Sequence, residues 1–497
     1  MTLAMPGLQP HTASPINGFP GSIGMASDLP HDPVLPSSTA EETPQNWFGL
    51  PGQLSELKRN PLDWWRPRTV RIGVTGLARA GKTVLLTALA ATVLTPGALG
   101  GRIRRARLAE AGASSLPRFP FAANIAALAA DPPRWPDRTD ATALLALDLE
   151  VGRPGLPARK IRLEFLDYPG EWLLDLPMLT QNFDVWSRAI LARLRAGPDT
   201  DAVRAFLQFA DALPVSIEAS DALAQSGHDL FVRALTSLRI EHGLSWLQPG
   251  RFLMPGPGSQ PPWMAFFPMD SRAGLCSLLE QRYEAYRASV RTGLVAPLFG
   301  QIDRLVVLAD LLGALHKGSV AFDDARDALS AAASSLRWQG SWLQTIGALA
   351  QGRLPSRTIR RVAYVASKAD HVSERQRGNL RRLMDVLTRT GTDQPTMVGN
   401  AQRSVFAVAA ARCTEDFVWS LDGHPVSAVR GRRLGDDSMT RSYPGEVPDT
   451  PPDQAFWTHP FLALPTFEPA RIRSDGKGGI PNIGLDALLG FLLEDLL

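Results

Sequence analysis

Gly76-Leu-Ala-Arg-Ala-Gly-Lys82-Thr83 has the spacing G-x-x-x-x-G-K-[ST]. Residues of these types can hold a polyphosphate, because the glycines let the loop wrap closely and aim backbone N–H groups at phosphate oxygens. A helix opening at Lys82 adds the positive end of its dipole. Lys82 would contact the β- and γ-phosphates, and the Thr83 hydroxyl would ligate Mg2+. Gly76, Ala80, Gly81 and Val84 complete the phosphate-side candidates. Arg79, also a candidate, would place charge near the β–γ bridge or point to solvent, and solvent is the preferred reading. A chance glycine turn before a helix is the bland alternative. Lysine scarcity argues against it, since the chain holds only Lys58, Lys82, Lys160, Lys317, Lys368 and Lys477.

Three further stretches carry possible chemistry. Asp167-Tyr-Pro-Gly170 ends an apolar run, so Asp167 can hold Mg2+ through water while the Gly170 amide approaches the γ-phosphate. Glu171 follows; it either accepts a hydrogen bond from the attacking water or caps the next helix. In Ser367-Lys368-Ala-Asp370 the aspartate can accept from both donors on the guanine N1/N2 edge, which adenine does not offer. The lysine stem would lie along the base, and a plain solvated loop is the competing reading. Asn is usual at the first position, and the shorter Ser367 hydroxyl bridges less. Ala409-Ala-Ala-Arg412 offers the amides of Ala410 and Ala411 to guanine O6. For the switch-I metal ligand Thr139 is preferred over Thr142, with a surface turn as the alternative.

These residues need elements to position them. Thr69–Thr75 reads as a buried strand, Lys82 to about Val93 as an apolar helix, and Ala143–Val151 with Lys160–Leu166 as two paired strands. Residues 98–140 look irregular and rich in Pro and Arg. Between Asp175 and Pro355 the pattern is helical, with Trp186 and Ile190, then Leu275, Leu278 and Leu279, then Leu305, Leu308, Leu312 and Leu315 at helical spacing. Strands return at Arg361–Ala366 and Ser404–Ala409, around a helix from Ser373 that Gln376 marks as a capping box. Strands alternating with helices imply an α/β fold with a mostly parallel sheet. The expected organisation is 1–45 Pro-rich and disordered, 46–174 the first half of a core, 175–355 an all-helical insertion, 356–420 the second half, 421–484 an irregular tail insertion and 485–497 a terminal helix. An aromatic stretch from Trp47 to Pro67 is expected to pack a short helix onto the core.

Composition excludes other classes. Two cysteines among 497 residues make no disulfide framework, and the eight histidines show no metal spacing. A net charge of +3 is no nucleic-acid signature, so no specific nucleic acid is expected. No apolar run reaches about 18 residues and no leader pattern opens the chain, so a cytoplasmic protein is expected. Arg102, Arg104, Arg105 and Arg107 read as a solvated face; the alternative is an acidic partner or anionic lipid, hence peripheral association with the inner face of the inner membrane.

With these residues in hand the chain resembles the YcjX-type family of bacterial P-loop proteins. The likeness rests on Thr75–Thr83, on Asp167-Tyr-Pro-Gly-Glu-Trp-Leu-Leu-Asp-Leu-Pro177, on Ser367-Lys-Ala-Asp-His-Val372, on Phe456-Trp457 and on the Leu485–Leu497 helix. The resemblance implies a P-loop NTPase fold, specifically a Ras-like GTPase core carrying the helical insertion. It also implies GTP/GDP and Mg2+ as ligands and a link to bacterial envelope-stress responses. Hydrolysis is expected to be slow, because no clear cis arginine or switch glutamine completes the site, and the insertion is expected to meet an unidentified protein partner. The long Pro-rich N-terminus and Ser367 depart from the family pattern. An ATPase of the same fold and a nucleotide-binding scaffold without turnover are the rival readings.

Overall fold

The computed structural model describes residues 68–497 except 111–115, 138–141, 154, 215, 256–260, 271–273, 293–301, 339–358, 390–400, 437, 459–463 and 474–477. Residues 1–45, the Trp47–Pro67 stretch and Thr139 therefore lie outside the described residues. Seven strands form the main sheet: β1 (Arg68–Gly76), β2 (Ile103–Leu108), β3 (Ala143–Arg153), β4 (Leu156–Asp167), β5 (Arg304–Ala309), β6 (Arg361–Ala366) and β7 (Gln402–Ala407). Their order is β2-β3-β4-β1-β5-β6-β7. β1 pairs parallel with β4 and β5, and β5, β6 and β7 continue parallel. β3 runs antiparallel to both β4 and β2. The α/β, mostly parallel expectation holds.

Both faces of this sheet are covered, as parallel strands require. On one face α1 (Lys82–Leu94) and α10 (Leu485–Leu493) pack Leu85, Leu89, Leu488 and Leu492 over Val70, Ile72 and Val365. On the other, α8 (Ser319–Trp338) and α9 (Glu374–Thr388) share a core with Leu305, Val307 and Tyr364. That second core continues into the segment between β4 and β5. Here α3 (Phe183–Ala196), α4 (Asp201–Asp211) and α5 (Asp221–Glu241) each start at a side-chain cap, Asn182, Thr200 and Ser220, which accepts an orphan amide of the first turn. With α6 (Gly274–Val290) they surround Trp186, whose ring lies 5.1–6.3 Å from those of Phe183, Phe231, Phe266 and Tyr283.

The structure corrects several readings. Leu305 and Leu308 belong to β5, a central strand, so the 175–355 stretch is not all helical; only Leu312 and Leu315 of that set are helical, in α7 (Leu311–Lys317). β5 is buried at every position and its apolar run has no period-2 alternation to declare it a strand. The irregular 98–140 stretch contains β2 and α2 (Phe121–Ala129). The tail holds a three-stranded antiparallel sheet, β8 (Thr414–Leu421), β9 (His424–Arg432) and β10 (Met439–Ser442). No capping box forms at α9: the Ser373 hydroxyl is buried without a partner, and Gln376 accepts instead from the Val447 amide at 3.1 Å.

Trp186 provides a test of the insertion core. Its indole N–H is buried with no hydrogen-bond partner. Trp186→Ala should cost about 3–5 kcal/mol in chemical denaturation. Trp186→Phe should cost much less, because it also removes an unsatisfied donor that burial penalises by about 1–3 kcal/mol.

Candidate functional site

All five parallel strands end on one edge of the sheet. The register sets Gly76 beside Leu308, Val74 beside Asp167, Ala309 beside Ala366, and Ala366 beside Ala407. The loops that follow these strands therefore converge where ligands of open parallel sheets bind. They contain Gly76–Thr83, Asp167–Glu171, Asp310, Ser367–Asp370 and Ala409–Cys413.

At the phosphate end close backbone approach dictates residue type. Gly76 has φ 154°, and a Cβ there would fall 2.3 Å from the Leu308 carbonyl oxygen. Gly81 takes the left-handed conformation that caps α1, with φ 84°. Lys82 Nζ donates back to the Gly76 carbonyl at 3.4 Å. Gly170 comes closest of all: a Cβ on it would lie 1.4 Å from the Gly76 oxygen and 3.2 Å from Lys82 Nζ. So the Asp167–Gly170 turn is pressed onto the phosphate loop. Asp167 ends β4, buried, next to Val74 in register, while Thr83 stands in the first turn of α1. The carboxylate of Asp167 and the hydroxyl of Thr83 are hard oxygen donors of the kind Mg2+ takes.

At the other end a cavity of about 460 Å3 brings Arg79, Ala80, Gly81 and Val84 together with Ser367, Lys368, Asp370, Ala410 and Ala411. Gly76, Lys82, Thr83, Asp167, Gly170 and Glu171 are not part of that lining. Asp370 is buried and accepts the Cys413 amide and thiol on one oxygen, Oδ2, both at 2.9 Å. Burial, followed by the Asp370 charge, pushes the Cys413 thiol well up, which keeps it a protonated donor. Asp370, His371 and Cys413 bring metal-capable atoms within 4.8 Å of one another, but two of the three are joined by this thiol–carboxylate bond. Lys368 has φ 58° and its Nζ donates to Asp310 Oδ2 at 2.5 Å. The Ser367 hydroxyl donates to the Ala309 carbonyl at 3.2 Å, so it bridges β6 to β5.

Sequence reasoning did not find Asp310, Cys413, Trp135 or Phe467. Trp135 and Phe467 also line the cavity, and the Trp135 indole donates to the Phe467 carbonyl at 2.9 Å. Phe467 packs at 5.4 Å from the His371 ring, whose imidazole burial holds below its ordinary pKa. No spacing rule links position 135 to 467, or 310 to 368. Only folding brings them to one cavity.

Glu171 and the residues after it face the insertion. The Glu171 carboxylate accepts from Arg239 at 2.8 Å, and the two side chains are 6% and 14% exposed. The Trp172 indole donates to the Met254 carbonyl at 2.9 Å, and the Gln248 amide to the Leu174 carbonyl. Asp175 is fully buried and accepts from the Gly250 amide and the Tyr286 hydroxyl, both at 2.6 Å. Burial raises its pKa to about 6 against the lowering effect of Tyr286, Gly250 and Arg251.

A family model described as the YcjX-like family, DUF463, matches residues 70–497. The chain is 31% identical over 481 residues to a protein of Escherichia coli (strain K12) named "Ras-like GTPase YcjX", an alignment covering 90% of this chain and 99% of that protein. A Shewanella oneidensis (strain MR-1) protein of the same name is 29% identical over 471 residues, covering 86% of this chain and 95% of the relative. The chain belongs to the YcjX-like family.

The buried Asp175 makes stability depend on pH in a defined direction. Its folded pKa, about 6, lies above the ordinary 3.8, so its protonated form favours folding. That contribution is complete below about pH 3.8 and is lost as pH rises through about 6. Asp175→Asn keeps an acceptor for Gly250 without the charge. The variant should exceed the parent in stability by up to about 3 kcal/mol above pH 7, with the gap closing towards pH 4. Urea denaturation at several pH values measures this, and a gap that does not change with pH would contradict it.

Proposed function

Starting from membership of the YcjX-like family, we propose that this chain binds GTP and GDP and hydrolyses GTP slowly. The observation that carries the reading is the junction of two recognition elements on one sheet edge. Arg79, Ala80, Gly81 and Val84 of the phosphate loop line one cavity with Asp370, while Gly170 abuts Gly76 and Lys82 beside it. The relatives named as Ras-like GTPases support the same reading.

Loop amides and Lys82 bind and orient the β- and γ-phosphates, and the Gly170 amide reads the γ-phosphate. Thr83 and Asp167 would hold Mg2+, which supplies charge neutralisation on the phosphate oxygens when bound; Thr139 is the proposed third ligand. Asp370, oriented by Cys413, accepts from guanine N1–H and N2–H2, and the amides of Ala410 and Ala411 meet O6. The Lys368 stem lies along the base. Glu171 orients the attacking water. Among the described residues no clear cis arginine or switch glutamine completes the site, which supports a low intrinsic rate. The insertion, bound to Trp172 and Asp175, is the surface proposed to meet a protein partner. A place in bacterial envelope-stress responses follows from the family resemblance, and no helix among the described residues is long and apolar enough to cross a membrane.

Thermal-shift titration should give GDP a stabilisation that ADP does not match at equal concentration, and preferential ADP stabilisation would overturn the guanine reading. Asp370→Asn removes an acceptor and adds a donor, so guanine affinity should drop by about 100-fold or more. A xanthine nucleotide, with a carbonyl where guanine has its amine, should bind the variant better than the parent. Phosphate release from GTP should vanish in Lys82→Ala. Persistence of release would show that the loop is not the catalytic site.

A further inference from the structure

Arg239 comes from the last turn of α5, on the inserted segment, yet its guanidinium ends on the residue that follows the phosphate-contacting glycine. Two charges withdrawn from water in this way persist only when each keeps its partner. The backbone of Glu171 is fixed from the same side. Gly250 packs so closely beneath it that a Cβ would fall 2.0 Å from the Glu171 carbonyl oxygen, and the Gly250 amide is bound by Asp175 at 2.6 Å. Arg251 stacks over Trp172 at 4.8 Å. The carboxylate thus has its backbone seated on one loop of the insertion and its charge held by one arginine from another.

We propose that Arg239 is a positioning residue for GTP hydrolysis, acting through Glu171. The inference rests on the role of Glu171 stated above. A carboxylate brought beside a triphosphate meets like charge, which drives it away unless something holds it. A guanidinium keeps its charge at working pH, and its hydrogen bond to the Glu171 carboxylate at 2.8 Å holds that group in place. Arg239 therefore holds the Glu171 carboxylate in one position, on the residue next to Gly170. It ties that position to the docking of the insertion, so an insertion displaced from Gly170–Asp175 carries the arginine away and stops turnover. A neutral water-orienting residue would need no such partner.

Steady-state GTP hydrolysis by the full chain tests this in the parent, Arg239→Ala, Arg239→Lys, Glu171→Gln and the double variant Glu171→Gln/Arg239→Ala. Arg239→Ala should lower kcat by about tenfold or more. KM and the GDP dissociation constant should stay within about twofold, the signature of a residue that acts after binding. Arg239→Lys should recover part of the rate. In the Glu171→Gln background the loss of Arg239 should have no further effect, because its only route is through the carboxylate. A parental kcat in Arg239→Ala, or the same additional loss with Gln at position 171, overturns the proposal. If Glu171→Gln itself keeps the parental kcat, the role of Glu171 fails and this inference with it. Melting temperature without nucleotide identifies a folding defect. Arg239→Gln then serves in place of alanine, and a parental kcat in that variant overturns the proposal equally.

Discussion

The Gly170 backbone rests against the Gly76 carbonyl with no space for a side chain between them. That approach joins two sequence-distant loops into one surface, and it is possible only because β4 and β1 run parallel with Asp167 beside Val74. Everything at the phosphate end follows from it. Lys82 Nζ is placed against the same two glycines, Asp167 is buried beside Val74 at the end of β4, and the Glu171 carboxylate meets Arg239 of the insertion. A methyl group at position 170 would have to push the turn off the loop, which separates the phosphate contacts from the insertion in one step.

The base end is built on different physics. There the sheet edge supplies carbonyls and one buried acid, and side chains from remote segments complete the enclosure. Asp370 keeps its orientation through a thiol that burial holds protonated, and Lys368 is drawn toward Asp310. The tail contributes a wall through Phe467, locked to Trp135 by an indole hydrogen bond. The tail insertion is therefore part of the candidate site.

Legibility in the sequence tracked how local each signal was. Gly76–Thr83, Asp167–Gly170 and Ser367–Asp370 are contiguous, and their residue types are forced by close approach or donor pairing, so they can be read without the fold. β5 could not be read as a strand, because burial on both faces erases alternation and Leu305, Leu308, Leu312 and Leu315 mimic a helical stripe across a strand–helix junction. The Ser373–Gln376 capping box failed because tertiary packing offered Gln376 the Val447 amide. Arg239, Asp310, Cys413 and Phe467 carry no motif; each acquires its place only when the chain folds. Among the described residues the candidate loop segments were thus visible beforehand, whereas their supporting partners were not.

The central claim is that the phosphate loop, the Ser367–Asp370 segment and the Ala409–Cys413 segment form one guanine-nucleotide site. Amide hydrogen exchange of the full chain with and without saturating GDP and Mg2+ tests it most directly. The account predicts that the amides of 76–84, 367–371 and 409–413 gain protection together at the same nucleotide concentration. Protection confined to 76–84, with the other two segments unchanged, would contradict it.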